Sequence, residues 1–137
     1  METNDYCSYN LSLALKKAGF FGMCDMFYSD TDKAPHNEPK PKIQNEISAD
    51  MTPAPTLYQA QKWLRSRGID IEPHMELVGA KRKYRLVLLP LGHEVSYGKL
   101  HPSYEEALEA GIEAALIIIE IDNKITTGDT TNENRFN

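Results

Sequence analysis

Two helix-start signals bracket a run of alternating residues, and together they constrain the fold more than anything else in the chain. Pro55-Thr56-Leu57-Tyr58-Gln59 has the form of a capping box, with Thr56 as N-cap and Gln59 three residues on. Ser103-Tyr104-Glu105-Glu106 repeats that logic, with Pro102 just before it. After the first box, Leu57, Ala60 and Leu64 mark a buried stripe with Trp63 beside it, and Gly68 ends the helix. Lys62, Arg65 and Arg67 lie toward the end of that helix, where its dipole favours cations. From Ile69 the pattern changes to strict alternation. Ile69, Ile71, Met75 and Leu77 point one way, and Asp70, Glu72, His74 and Glu76 the other. Pro73 makes this an edge strand or a bulged one.

Residues 79–83 read as a turn, and Tyr84 to Leu89, apolar on both faces, as the central strand. Pro90 and Gly92 end it, and residues 94–98 read as a short third strand. After the second box, Tyr104, Leu108, Ile112 and Ile119 make a broad apolar face. Ala107, Gly111 and Ala115 on that face are small enough to let the helix lie close to a sheet. The expectation is an α+β fold with a two- or three-stranded antiparallel sheet. Helices pack on it in the order α–(loop)–α–β–β–(β)–α, with residues 56–121 as the core.

Upstream, Leu11, Ala14, Leu15 and Ala18 share one helical face, followed by Lys16 and Lys17 in the last turn and Gly19 as a stop. Residues 20–28 are aromatic and lack a helical period, so they read as a short strand or packed loop. Residues 1–28 are thus expected to pack on the core. Five prolines (Pro35, Pro39, Pro41, Pro53 and Pro55) mark residues 29–55 as a linker or loop, with a short strand at 42–47. Residues 122–137 are polar and without period, and read as a disordered tail.

The net charge of −5 argues against a dedicated nucleic-acid binder. It is unevenly spread, however: residues 62–101 carry eight cations and four carboxylates. Two cysteines, Cys7 and Cys24, are too few for a disulfide framework and fit a reducing, cytoplasmic setting. The start of the chain is acidic and polar, unlike a secretory signal. The longest apolar run, Leu116-Ile117-Ile118-Ile119, is far too short to span a bilayer, so no membrane role is expected.

Several of these motifs occur together in one family. Ala54-Pro55-Thr56, then Gln59-Ala60-Gln61-Lys62-Trp63-Leu64-Arg65, then residues 103–112 resemble short uncharacterised proteins of phages and prophages of gut bacteria. Gly19-Phe20 and the stretch from Cys24 to Tyr28 fit the same pattern. These motifs are caps and core positions, so the resemblance implies a fold and carries no activity.

Chemistry is harder to find. His93 and His101 are eight residues apart, His36 lies among the prolines, and His74 sits on a polar strand face, so no paired metal-ligand spacing emerges. Cys24 lies in an apolar stretch, where burial makes a thiol inert. Glu105 and Glu106 are accounted for by the helix N-terminus, which favours anions. The basic middle is the remaining candidate: Lys81, Arg82, Lys83 and Arg85 surround a hairpin. The order helix, hairpin, helix resembles double-stranded RNA-binding domains and the sheet modules of phage integrase arms. Glu105 and Glu106 stand where the first of these grips phosphate, and Asp70, Glu72 and Glu76 line the outward strand face, so a solvated hairpin is favoured. The expectation is a non-catalytic module without cofactor or metal, binding a protein partner or itself. Nucleic-acid contact through Lys81, Arg82, Lys83 and Arg85 is the alternative.

Overall fold

The computed structural model describes residues 5–90 and 95–126. The elements are α1 (Tyr9–Lys17), β1 (Cys24–Ser29), β2 (Pro35–Lys42), a 3-10 turn at Gln44–Glu46, β3 (Met51–Pro53), α2 (Leu57–Ser66), β4 (Ile69–Val78), β5 (Lys81–Pro90), β6 (Val95–His101) and α3 (Tyr104–Thr126). This is an α+β fold with two antiparallel three-stranded sheets, ordered β2-β1-β3 and β4-β5-β6.

The caps form where the residue pattern places them. The Gln59 N–H donates to Thr56 Oγ1 at 3.1 Å, and the Thr56 N–H donates to Gln59 Oε1 at 2.8 Å. The Glu106 N–H donates to Ser103 Oγ, whose own hydroxyl donates to Glu106 Oε2, both at 3.1 Å. At α1, Ser8 Oγ accepts from the Leu11 N–H at 3.3 Å. Each cap satisfies a helix-start donor that would otherwise lack a partner.

The alternation of β4 is read out by its pairing with β5. Ile69 lies opposite Pro90 and Ile71 opposite Leu88, on the face packed by α2 and α3, while Asp70 and Glu72 lie opposite Leu89 and Val87 on the other. The hairpin turns over two residues, Gly79 and Ala80, with Gly79 at φ +64°. A turn this tight needs the left-handed backbone that glycine adopts freely. Lys81 to Lys83 therefore belong to β5, where the sequence reading had them in the turn. Pro73 sits on β4 at a sheet edge, and the Gln61 side-chain amide donates to the Ile71 carbonyl at 2.8 Å. α3 approaches the sheet closely at Gly111, where a Cβ would collide with the Ile71 side chain and stand 2.7 Å from Leu86 Cδ1.

Residues 29–55 depart most from the sequence expectation. The stretch read as a linker or loop carries β2, the 3-10 turn and β3, which flank β1. Phe27 lies opposite His36 on one side and Pro53 on the other. Pro35 and Pro53 are accommodated on edge strands, which can turn a missing N–H away from the ladder, while Pro39 and Pro41 fall where the register with β1 is interrupted, between Asn37 and Lys42. The strand expected at 42–47 is replaced by the 3-10 turn.

One apolar cluster joins Leu11 and Leu15 of α1, Phe20, Phe27 of β1, Leu64 of α2, Ile71 and Leu88 of the second sheet, and Leu108 and Ile112 of α3. The aromatic stretch thus packs inward, except that Phe21 and Met23 are exposed. A smaller cluster holds Met26, Tyr28 and Ala54, against which Tyr6 and Tyr9 pack. α3 continues through Thr126, so residues 122–126, read as part of a tail, are helical; residues 127–137 and the candidate His93 lie outside the described residues.

α1 and α2 run the same way, and α3 starts beside the start of α2. A Cys7 N–H to Pro55 carbonyl bond of 2.8 Å holds the starts of α1 and α2 together, and Arg67 Nη1 reaches the Ala18 carbonyl at 3.4 Å near their ends. At the start of α2, the Tyr58 hydroxyl donates to Glu105 Oε2 at 3.1 Å, and its ring stacks on Tyr104 with centroids 6.5 Å apart. Among the described residues no helix is long and apolar enough to cross a membrane.

Candidate functional site

The basic hairpin is built by the long β4–β5 ladder. Lys81 and Arg82 are exposed, Lys83 is half-buried, and Arg85 is withdrawn from solution by a partner. Its guanidinium Nε donates to Glu76 Oε2 on the neighbouring strand. That bond and the Arg85 charge hold the Glu76 carboxyl below its usual range and raise Arg85 in turn. Next along the same face, His74 Nε2 lies 3.3 Å from Glu72 Oε1. Asp70 is pushed up by burial and by hydrogen bonding to Glu72, whose own carboxyl is lowered by Asp70 and His74. A phosphate approaching this sheet face meets three carboxylates.

The basic residues of α2 do not join the hairpin. Arg67 stands over the Trp63 ring, 5.1 Å from its centroid, and Arg65 lies near Asp70 and Glu72. Of the four hairpin cations, Lys81 and Arg82 remain presented at the tip, beside Leu77, which is 68% exposed. The sequence placed Leu77 on the core face; its register is right, but the hairpin runs past the helices that would cover it.

Both thiols are enclosed. Burial, then Asp25, pushes Cys24 up to about 12. Burial, then Glu109 and Cys24, raises Cys7 further still. Neither supplies thiolate near neutral pH, so neither is poised as a nucleophile. Among the described residues no three His, Cys, Asp or Glu side chains gather as a metal would need.

A concave site appears instead where α1 lies beside the second half of α3. The groove has a volume of about 590 Å³. Leu11, Ala14 and Ala18 form one wall, and Leu116, Ile117 and Ile119 the other. Ala14 and Ala18 are short, so α1 leaves space above the core rather than filling it. Charged groups line it on both helices: Lys17 on α1, and Glu113, Glu120 and Lys124 on α3. None of these four makes an ion pair among the described residues. Ile117 is 57% exposed and Ile121, one turn on, is 52% exposed.

The sequence reading did not find this groove. It assigned one apolar face to α3, through Leu108, Ile112 and Ile119. The overlooked signal was Leu116-Ile117-Ile118-Ile119-Glu120-Ile121, which is apolar on more than one face, as helices covered from two sides are. Compared with protein families, curated proteins and solved structures, the chain finds no match.

Proposed function

We propose that the protein is a non-catalytic interaction module, of the phage or prophage kind that its motifs resemble, and that it binds another protein surface through the α1–α3 groove. The observation that carries this reading is the pair Ile117 and Ile121, left half-exposed beside an apolar groove with charged residues along both walls. An apolar centre ringed by charge is the usual anatomy of a protein-binding patch. The inert thiols support the non-catalytic part of the proposal.

The test is a peptide-display selection with the full chain as bait. Enriched peptides should be amphipathic, with apolar residues at helical spacing. They should lose binding to Ile117→Asp and keep it with Lys81→Ala. Peptides that bind both variants equally would refute the reading.

A second reading rests on the exposure of Lys81 and Arg82 at the hairpin tip. It gives the module a nucleic-acid contact through Lys81, Arg82 and Lys83, with Arg85 released from Glu76. Mobility shifts with DNA and RNA at low salt test it, and each alanine should lower the salt slope by about 1.

A further inference from the structure

Resting on that reading, we infer that the groove's occupant is a second copy of this chain, with the two α3 helices packed antiparallel about a two-fold axis between Ile117 and Ile121.

Charge is placed at both ends of the exposed strip of α3. Glu113 and Lys124 are eleven residues apart, which is close to three helical turns, or roughly 16 Å. They therefore share a face with Ile117 between them, and Ile121 borders the same strip. A two-fold axis midway between Ile117 and Ile121 sets each Ile117 against the partner's Ile121. In that register Glu113 and the partner's Lys124 are offset by one residue, a rise of about 1.5 Å, which the long lysine side chain spans, and the two-fold repeats the pair with Lys124 and the partner's Glu113. One patch is then complementary to itself, as a two-fold interface requires. A parallel arrangement would set Glu113 on the partner's Glu113 and Lys124 on the partner's Lys124. It would also align the two helix dipoles.

Among the described residues no cation pairs with Glu113. Glu106, Glu109 and Glu113 form a row of like charges along α3, and Glu109 is raised by burial first and then by both neighbours. A cation arriving beside Glu113 relieves that row. At the other end, Lys17 and Lys124 stand near the C-terminal ends of α1 and α3 and line the same groove. Glu120 faces the same groove as Lys17, which stands on the opposite wall.

Foreign partners would read the apolar residues but have no reason to match a charge pattern that complements itself. The inference therefore commits to the chain's own surface and separates from the broader reading by experiment.

Sedimentation equilibrium of the full chain across a micromolar-to-millimolar series should show a monomer–dimer equilibrium. Glu113→Lys should weaken the dimer by about tenfold or more, since it creates two repulsive contacts at once. Adding Lys124→Glu to it should restore affinity to within about threefold of the original. Ile117→Asp should give a monomer. Should a variant fail to fold, cross-linking of the otherwise native chain replaces it. A mixture of Ile117→Cys and Ile121→Cys chains should oxidise preferentially to the mixed disulfide, because position 117 faces the partner's position 121; Cys7 and Cys24 are buried and do not compete. A chain that stays monomeric at millimolar concentration overturns the inference. So does a dimer indifferent to Glu113→Lys, or one whose mixed disulfide is no commoner than the like-paired ones. Groove-specific peptides from the display selection, together with a monomeric chain, would leave the module reading standing and remove the second copy as its partner.

Discussion

The two sheets reach order by different means. In β4-β5-β6, the ladder between β4 and β5 runs unbroken from Ile69–Pro90 to Val78–Lys81, and two capped helices cover one face. In β2-β1-β3, the pairing between β1 and β2 is interrupted by an irregularity between Cys24 and Met26, and β3 contributes three residues. The second sheet is held by ladder and cap. The first relies on polar contacts between distant residues. The Thr52 hydroxyl donates to Asp30 Oδ1 at 2.6 Å, Tyr9 donates to the same oxygen at 3.1 Å, and Tyr28 donates to the Cys7 carbonyl at 2.8 Å. A sheet can thus be assembled from segments with poor strand propensity when tertiary contacts close it.

The comparison breaks most readily at Phe27, which is fully buried and joins the first sheet to the shared core. Phe27→Ala should cost about 3–5 kcal/mol. Calorimetry should show one transition shifted downward as a whole. Two separate transitions would mean that the sheets are independent units and that the shared core is incidental. The next largest effect is expected at Gly111. Alanine gains helix propensity there, but overpacking against Ile71 and Leu86 should leave a net loss of about 1–3 kcal/mol by urea denaturation. A stabilised variant would show that α3 can back away from the sheet at no cost. The smallest is Thr52→Val, which keeps the shape and removes the hydroxyl bonded to Asp30. A loss of about 1 kcal/mol is expected. Amide exchange should quicken in residues 24–53 and not in β4 or β5. Uniform quickening would place Thr52 in the global fold rather than in the first sheet.

The same contrast explains what was legible in the residues. The second sheet announced itself because its signals are local: Thr56 and Gln59 are three apart, Ser103 and Glu106 are three apart, and β4 alternates along its length. Nothing local identifies Pro35–Lys42 as a strand, since three of its eight residues are prolines. Its partner residues lie up to 18 positions away, Cys24 against Lys42. The run of hairpin cations is legible in the residues, but the capture of Arg85 by Glu76 depends on register across two strands. The groove was missed for a related reason. It needs α1 and α3, about a hundred residues apart in the chain, and its clue was a surplus of isoleucine rather than a motif.

Pro73 and Gln61 carry a consequence for the chain in a crowded cell. Backbone groups of alternate residues point to the same side of a strand, so Ile71 and Pro73 both turn their groups to the free edge of β4. Gln61 already occupies one of those acceptors, and Pro73 has no donor to offer. A stray strand docking there would find two rungs missing in succession. Growth of fibrils by stacking along that edge is thereby discouraged.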